Sequence, residues 1–261
     1  MRRSTFAARL AATVGLAELS GIAPARAAVD EQTLGREVFT DMRSSGDILF
    51  DSPYYEHLNE VGAVISATVR PRYPEQIRFY IVKGDSANAF SVPGGNIYVN
   101  EPLLALAKNR DELAGVLAHE CGHMVLHHVA KRIANANRIG TLATIGSILA
   151  NVFGGPLGGA AADYGLQNAQ AGQDANLSRH IEAQADEEGA RIIAATGVYN
   201  PYGLIWFFQK MSATYGKGQA NWLRDHPLDV ARIDDLKRLF ASEPATFGKF
   251  TDTQQIDVAY W

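Results

Sequence analysis

His119, Glu120, Cys121, Gly122 and His123 form a run whose residue types and spacing suit metal-assisted hydrolysis. On an α-helix, positions i and i+4 share a face, so the two imidazoles can turn toward one ion. Zinc is the metal that imidazole and carboxylate ligands commonly hold in a hydrolytic site. Glu120, beside the first histidine, can reach a zinc-bound water whose pKa the metal lowers to roughly 7. It can then hand the proton it takes to a leaving amine. This chemistry requires a helix. Asn109 and Glu112 have the spacing of a capping box. Leu113, Val116, Leu117, Ala118 and Val125 supply apolar surface, and the pattern predicts a capped amphipathic helix over about 109–134. Cys121 lies nearly opposite His119 on the helical wheel and is expected as a small buried hydrophobe. Gly122 costs about 1 kcal/mol of helix propensity relative to Ala, which suggests close approach of another backbone.

Two histidines leave the site incomplete, because catalytic zinc usually takes three protein ligands and a water. The remaining histidines are His57, His127, His128, His180 and His226. Among the acidic residues, Glu182 and Asp186 stand out. Ile181, Ala185, Gly189, Ile192 and Ile193 mark the buried face of a helix, and the two carboxylates flank it at a spacing of four. Ionised carboxylates beside a core need a partner. Zinc would serve Glu182, while Asp186 could accept a hydrogen bond from the free ring nitrogen of a zinc-bound histidine. The alternative is an exposed acidic helix, since Glu187 and Glu188 follow. His127 and His128 read as helix-surface residues or as groups behind the ligands, outside the metal set.

Other elements must carry these residues. A helix is expected over 29–43, broken by Ser44, Ser45 and Gly46. Ser52 and Pro53 read as cap and first residue of a second helix reaching about residue 68, ended by Pro71 and Pro74. Residues 77–82, 89–92 and 97–99 read as strands, with turn chemistry at Pro93, Gly94, Gly95 and Asn96. They predict a small, mainly antiparallel sheet. Everything after Pro102 reads as helical. Residues 139–162 contain no charged side chain and are long enough to cross a membrane. Their glycines, with Asn151 and Pro156, favour a short buried helix and a Gly-rich loop instead.

Composition sets the frame. An apolar content of 47% with 20% charged residues fits a globular domain and excludes a disordered chain. A single cysteine excludes an internal disulfide. Arg2 and Arg3, a weakly apolar stretch over 6–22, and Ala25, Arg26 and Ala27 read as a signal peptide cut after residue 27, leaving a domain over 28–261. The paired arginines leave the general secretory and twin-arginine routes both open. Removing the segment, with four arginines against one glutamate, takes the formal charge from −4 to about −7. That charge argues against nucleic acid as a partner.

The chain resembles the M48 peptidases, specifically their bacterial periplasmic branch, over roughly residues 54–238. The run from Asn88 to Gly95 looks like the family's edge strand and turn. His119 to His123, with His128 beyond, looks like its zinc helix. Glu182 with Asp186 matches its Glu-x-x-x-Asp motif, and His226-Pro227 with Arg232 matches its C-terminal segment. The resemblance implies an α+β, predominantly helical zincin-type (gluzincin-like) domain whose edge strand lines the cleft. It implies one zinc per chain on His119, His123 and Glu182, with Glu120 as base. Asp186 is implied as an orienting group. His226 is implied to stabilise the oxyanion or cap the metal, with Arg232 supporting it. The branch expected is one without the C-terminal repeat domain that some relatives carry. The function implied is an endopeptidase for unfolded or misfolded envelope proteins in the periplasm. A latent or non-cleaving, chaperone-like binder is the alternative. Peripheral membrane association stays open, and the Gly-rich segment is expected beside the site as a gate.

Overall fold

The computed structural model describes residues 30–138, 171–216, 222–223, 226–227 and 230–254. The expected signal peptide and the Gly-rich segment 139–162 lie outside the described residues. The described helices are α1 (Glu31–Ser45), α2 (Tyr55–Val69), α3 (Glu101–Leu106), α4 (Arg110–Val125), α5 (His128–Arg138), α6 (Ala171–Thr196), α7 (Tyr202–Tyr215), α8 (Val230–Ser242) and α9 (Pro244–Phe247). The strands are β1 (Arg78–Val82), β2 (Ala89–Val92) and β3 (Asn96–Asn100). The result is a predominantly helical domain with one small sheet. Among the described residues, no helix is long and apolar enough to cross a membrane.

Helix α4 is the centre of the fold. Asn109 caps it, its side chain accepting from the Glu112 backbone N–H at 2.9 Å. Every residue from Glu112 to Met124 is buried. The helix is therefore enclosed on all faces rather than amphipathic, as befits an element packed between α6, α7, α2 and β2. The single helix expected over 109–134 is two. His127 takes a positive φ of 54°, which ends α4 and turns the chain into α5.

The sheet order is β1-β3-β2. β2 and β3 pair antiparallel across the turn at Pro93 to Asn96, with Phe90 opposite Tyr98. β1 pairs with β3 in parallel, Tyr80 opposite Tyr98, so the sheet is mixed. A long-range parallel ladder leaves no local turn signal, whereas the hairpin does. β2 is an edge strand and packs against α4. Helix α1 covers the other face through Leu34, Val38 and Met42, which meet Phe90, Val92 and Tyr98. The cap expected at Ser52 lies short of α2. Its hydroxyl instead donates to Glu101 at 2.7 Å, and α2 starts at Tyr55.

Candidate metal centre

α4 and α6 bring the site together because each allows the other close. A Cβ on Gly122 would stand 2.8 Å from the Ala185 carbonyl oxygen, and one on Gly189 would stand 2.9 Å from the His119 backbone nitrogen. Only a residue without a side chain fits at either place. The small residue expected at Gly122 has this physical cause, and Gly189 is its counterpart on α6.

The donors converge. His119, His123, Glu182 and His226 each offer one atom, and these atoms all lie within 4.8 Å of one another. His119 Nε2 is 3.2 Å from His123 Nε2 and 3.4 Å from Glu182 Oε2. His123 Nε2 is 3.5 Å from Glu182 Oε1. His226 brings Nδ1 to 3.0 Å from Glu182 Oε2 and 3.3 Å from His119 Nε2. All four residues are buried. Three imidazoles with one carboxylate, converging in a dry interior, suit zinc by donor type.

Asp186 and Arg232 stand behind the donors. Asp186 Oδ1 lies 2.9 Å from His119 Nδ1, on the ring edge turned away from the cluster. Arg232 grips the same carboxylate with two bonds, Nε to Oδ2 and Nη2 to Oδ1, each 2.7 Å. Its Nη1 donates to the Pro227 carbonyl at 3.1 Å and lies 3.4 Å from Glu182 Oε2. Phe208 lies 4.6 Å beneath the guanidinium, and Trp222 stacks on the His226 ring at 4.9 Å. Thus α6, α8 and the segment containing His226 are tied into one network.

Charge in this network is uneven. Burial opposes the imidazolium of His119, yet hydrogen bonds to Asp186 and Glu182, and their charges, raise its pKa to about 9. Burial, together with the neighbouring imidazoles, holds His123 well below its usual 6.5. Burial also works against the Glu182 carboxylate, but His226, His123 and His119 hold it well below the usual carboxylate range. Burial opposes the Asp186 charge as well, and Arg232 more than offsets it. Both carboxylates therefore stay ionised to face cations.

Glu120 differs from its neighbours. Its side chain is 1% exposed. Neither carboxylate oxygen has a hydrogen-bond partner among the described residues. The nearest cationic candidate is His226 Nε2, 3.5 Å from Oε1. A buried carboxylate without partners costs stability, and its place beside the donor cluster suits a group that meets a metal-held water or a substrate.

The sequence-predicted residues His119, Glu120, His123, Glu182, Asp186, His226 and Arg232 all come together here. Cys121 is buried in the core, away from the donors, and burial pushes its thiol pKa up. His127 faces outward to Glu31, at 2.8 Å. His128, left out of the metal set, is buried against His123. The role of Trp222 was not legible beforehand.

A helical domain of this build around such a cluster is that of a zincin-like metal protein. Residues 56–239 match the model of peptidase family M48, and the chain belongs to that family. It is 29% identical over 213 residues to the "Beta-barrel assembly-enhancing protease" of Yersinia pestis, covering 79% of this chain and 43% of that protein. It is 26% identical over 212 residues to "Metalloprotease LoiP" of Escherichia coli K12, covering 79% of each. It is 25% identical over 212 residues to "Mitochondrial metalloendopeptidase OMA1" of Schizosaccharomyces pombe, covering 79% of this chain and 60% of that protein. The chain thus spans less than half the length of the Yersinia relative it matches.

Proposed function

We propose that the chain is a zinc-dependent endopeptidase that cuts unfolded or misfolded envelope proteins in the periplasm. The observation that carries the reading is the pairing of a four-donor buried cluster with a glutamate at its side, Glu120, that has no hydrogen-bond partner among the described residues. His119, His123 and Glu182 would hold the ion. Bound zinc would supply a polarised carbonyl and a water acidified to a pKa of roughly 7.

The chain's own residues supply the rest. Glu120 takes a proton at either free oxygen and returns it to the leaving amine, a role worth roughly 10²–10⁴-fold in rate. Asp186 fixes His119 with the proton on Nδ1, which leaves Nε2 as the ligand atom. Arg232 fixes Asp186 and the backbone after His226. His226, with Nε2 on the Glu120 side, donates to the developing oxyanion. β2, the edge strand by sheet order, is the expected line for extended substrate through backbone bonds that are largely independent of sequence, and its four residues are buried in this structure. The names of the relatives support proteolysis. The envelope substrates and the periplasmic setting are taken from the resemblance and the N-terminal leader.

One observation favours a second reading. His226 Nδ1 sits among the donor atoms, where it would fill the position that a water needs. In that reading the resting protein is latent, or holds unfolded clients without cutting.

Zinc content and casein cleavage by the purified chain, wild type beside Glu120→Gln, test the proposal. Both proteins should hold about one zinc, and only the wild type should cut. Chelation should stop cleavage and added zinc restore it. Zinc in both with cleavage by neither favours the capped state, and His226→Ala then separates a latent enzyme, which gains activity, from a holdase, which does not. A wild type that binds no metal overturns the proposal.

A further inference from the structure

His128 is buried, polar and adjacent to the cluster, yet no step above uses it. In a continuous helix, a residue five positions after His123 would point well away from it. The positive φ at His127 breaks the helix and swings His128 back. Its Nδ1 then lies 3.0 Å from His123 Nδ1, with the two rings edge-on and their centroids 5.0 Å apart. On the other side, His128 Nε2 lies 3.3 Å from Gln184 Oε1 on α6.

Two ring nitrogens at 3.0 Å in a buried contact share a single proton, and the chain of partners decides who carries it. Gln184 presents its carbonyl oxygen, an acceptor, so His128 Nε2 must be the donor there. A neutral His128 then has a bare Nδ1, which accepts. His123 must therefore carry its proton on Nδ1, leaving the Nε2 lone pair directed at Glu182 and His119. We propose that His128 is a positioning residue that, relayed from Gln184, fixes the tautomer and ring orientation in which His123 can bind the metal. The two histidines of the helix thus have different supports: a charged one, Asp186, for His119, and a neutral imidazole–amide relay for His123.

This inference rests on His123 being a zinc ligand, so its test is read on the metal and not on turnover. Zinc affinity of the full chain is measured by competition with a chelating dye for wild type, His128→Leu and His128→Asn. Losing such a support costs roughly 10–100-fold in metal affinity, and His128→Leu should show that loss. His128→Asn places a carbonyl oxygen where Nδ1 stood and should recover most of it. Equal affinity in wild type and Leu variant, or an Asn variant as weak as the Leu one, overturns the inference while leaving the metal site intact. Absence of zinc from the wild type overturns both. Should the Leu variant fail to fold, ¹⁵N-histidine NMR of the zinc-loaded wild type decides: His128 must show its proton on Nε2 and a bare Nδ1, and the opposite tautomer refutes the relay.

Discussion

Glu112 and Glu120 lie about two turns apart on α4, both almost wholly buried, and the fold treats them in opposite ways. Glu112 accepts from Lys210 Nζ at 2.7 and 2.6 Å, from the Lys108 backbone N–H at 2.7 Å, and from Gln254. Glu120 accepts from nothing among the described residues. Burial alone therefore does not tell a structural carboxylate from a reactive one; satisfaction does. A saturated carboxylate ties a helix N-terminus to α7 and to the segment at Gln254. An unsaturated one costs stability, which fits the proposed role of Glu120 as the base.

The largest effect should come from Glu120→Gln. Cleavage of a peptide substrate should fall by roughly 10²–10⁴-fold, while the thermal midpoint stays level or rises. A midpoint several degrees lower would place Glu120 with the structural residues and break the comparison. Glu112→Gln should do the reverse. It leaves the Lys210 ammonium without its counter-charge, at a cost of about 2–3 kcal/mol once the partial exposure of Lys210 is allowed for. In a domain of this size that lowers the midpoint by roughly 5–10 °C. Specific activity well below that midpoint should be unchanged.

Arg232→Lys sharpens the contrast from the side of the metal. A lysine cannot make the paired bonds to Asp186, so His119 loses part of its orientation and zinc should bind roughly 10–100-fold more weakly. Titration against a chelating dye measures it. The smallest effect belongs to a solvent-facing carboxylate, Glu243. The hydrogen bond from Arg191 at 2.7 Å lowers its pKa below 4.5. A depressed folded-state pKa means that the pair's contribution is present above 4.5 and is lost as pH falls through the folded value. Denaturant melts of wild type and Glu243→Gln should therefore differ at pH 7 and draw together as the pH falls below 4.5.

How much of this could be read beforehand follows from what is local. The spacing of His119 and His123, the Asn109 cap and the β2–β3 turn all act within a few residues, and each left a mark in the sequence; Gly122 stood out as a glycine inside a helix, although the backbone it admits, at Ala185, belongs to another helix. Glu182 and Asp186 were visible as carboxylates beside an apolar face, and the family resemblance turned them into a ligand and its neighbour. The partners of Glu112 were not visible, because Lys210 and Gln254 come from 98 and 142 residues away. The parallel β1–β3 ladder is non-local in the same sense. The break at His127 was hidden for a different reason: Leu126, His127 and His128 are compatible with a helix, and burial of His128 against His123 and α6 accompanies the turn. α4 looked amphipathic because its glycines, Gly115 and Gly122, read as neutral in the pattern, whereas in the fold they are places where other elements come close, Gly115 against Leu204 and Gly122 against Ala185.

The most direct test of the central claim is a crystal of the zinc-loaded chain with anomalous data collected on either side of the zinc edge. The account predicts one strong peak within about 2.0–2.3 Å of His119 Nε2, His123 Nε2 and a Glu182 oxygen, with Glu120 beside it and not bonded to it. A peak bonded to Glu120 in place of Glu182, or no peak among these residues in a zinc-replete crystal, would contradict it.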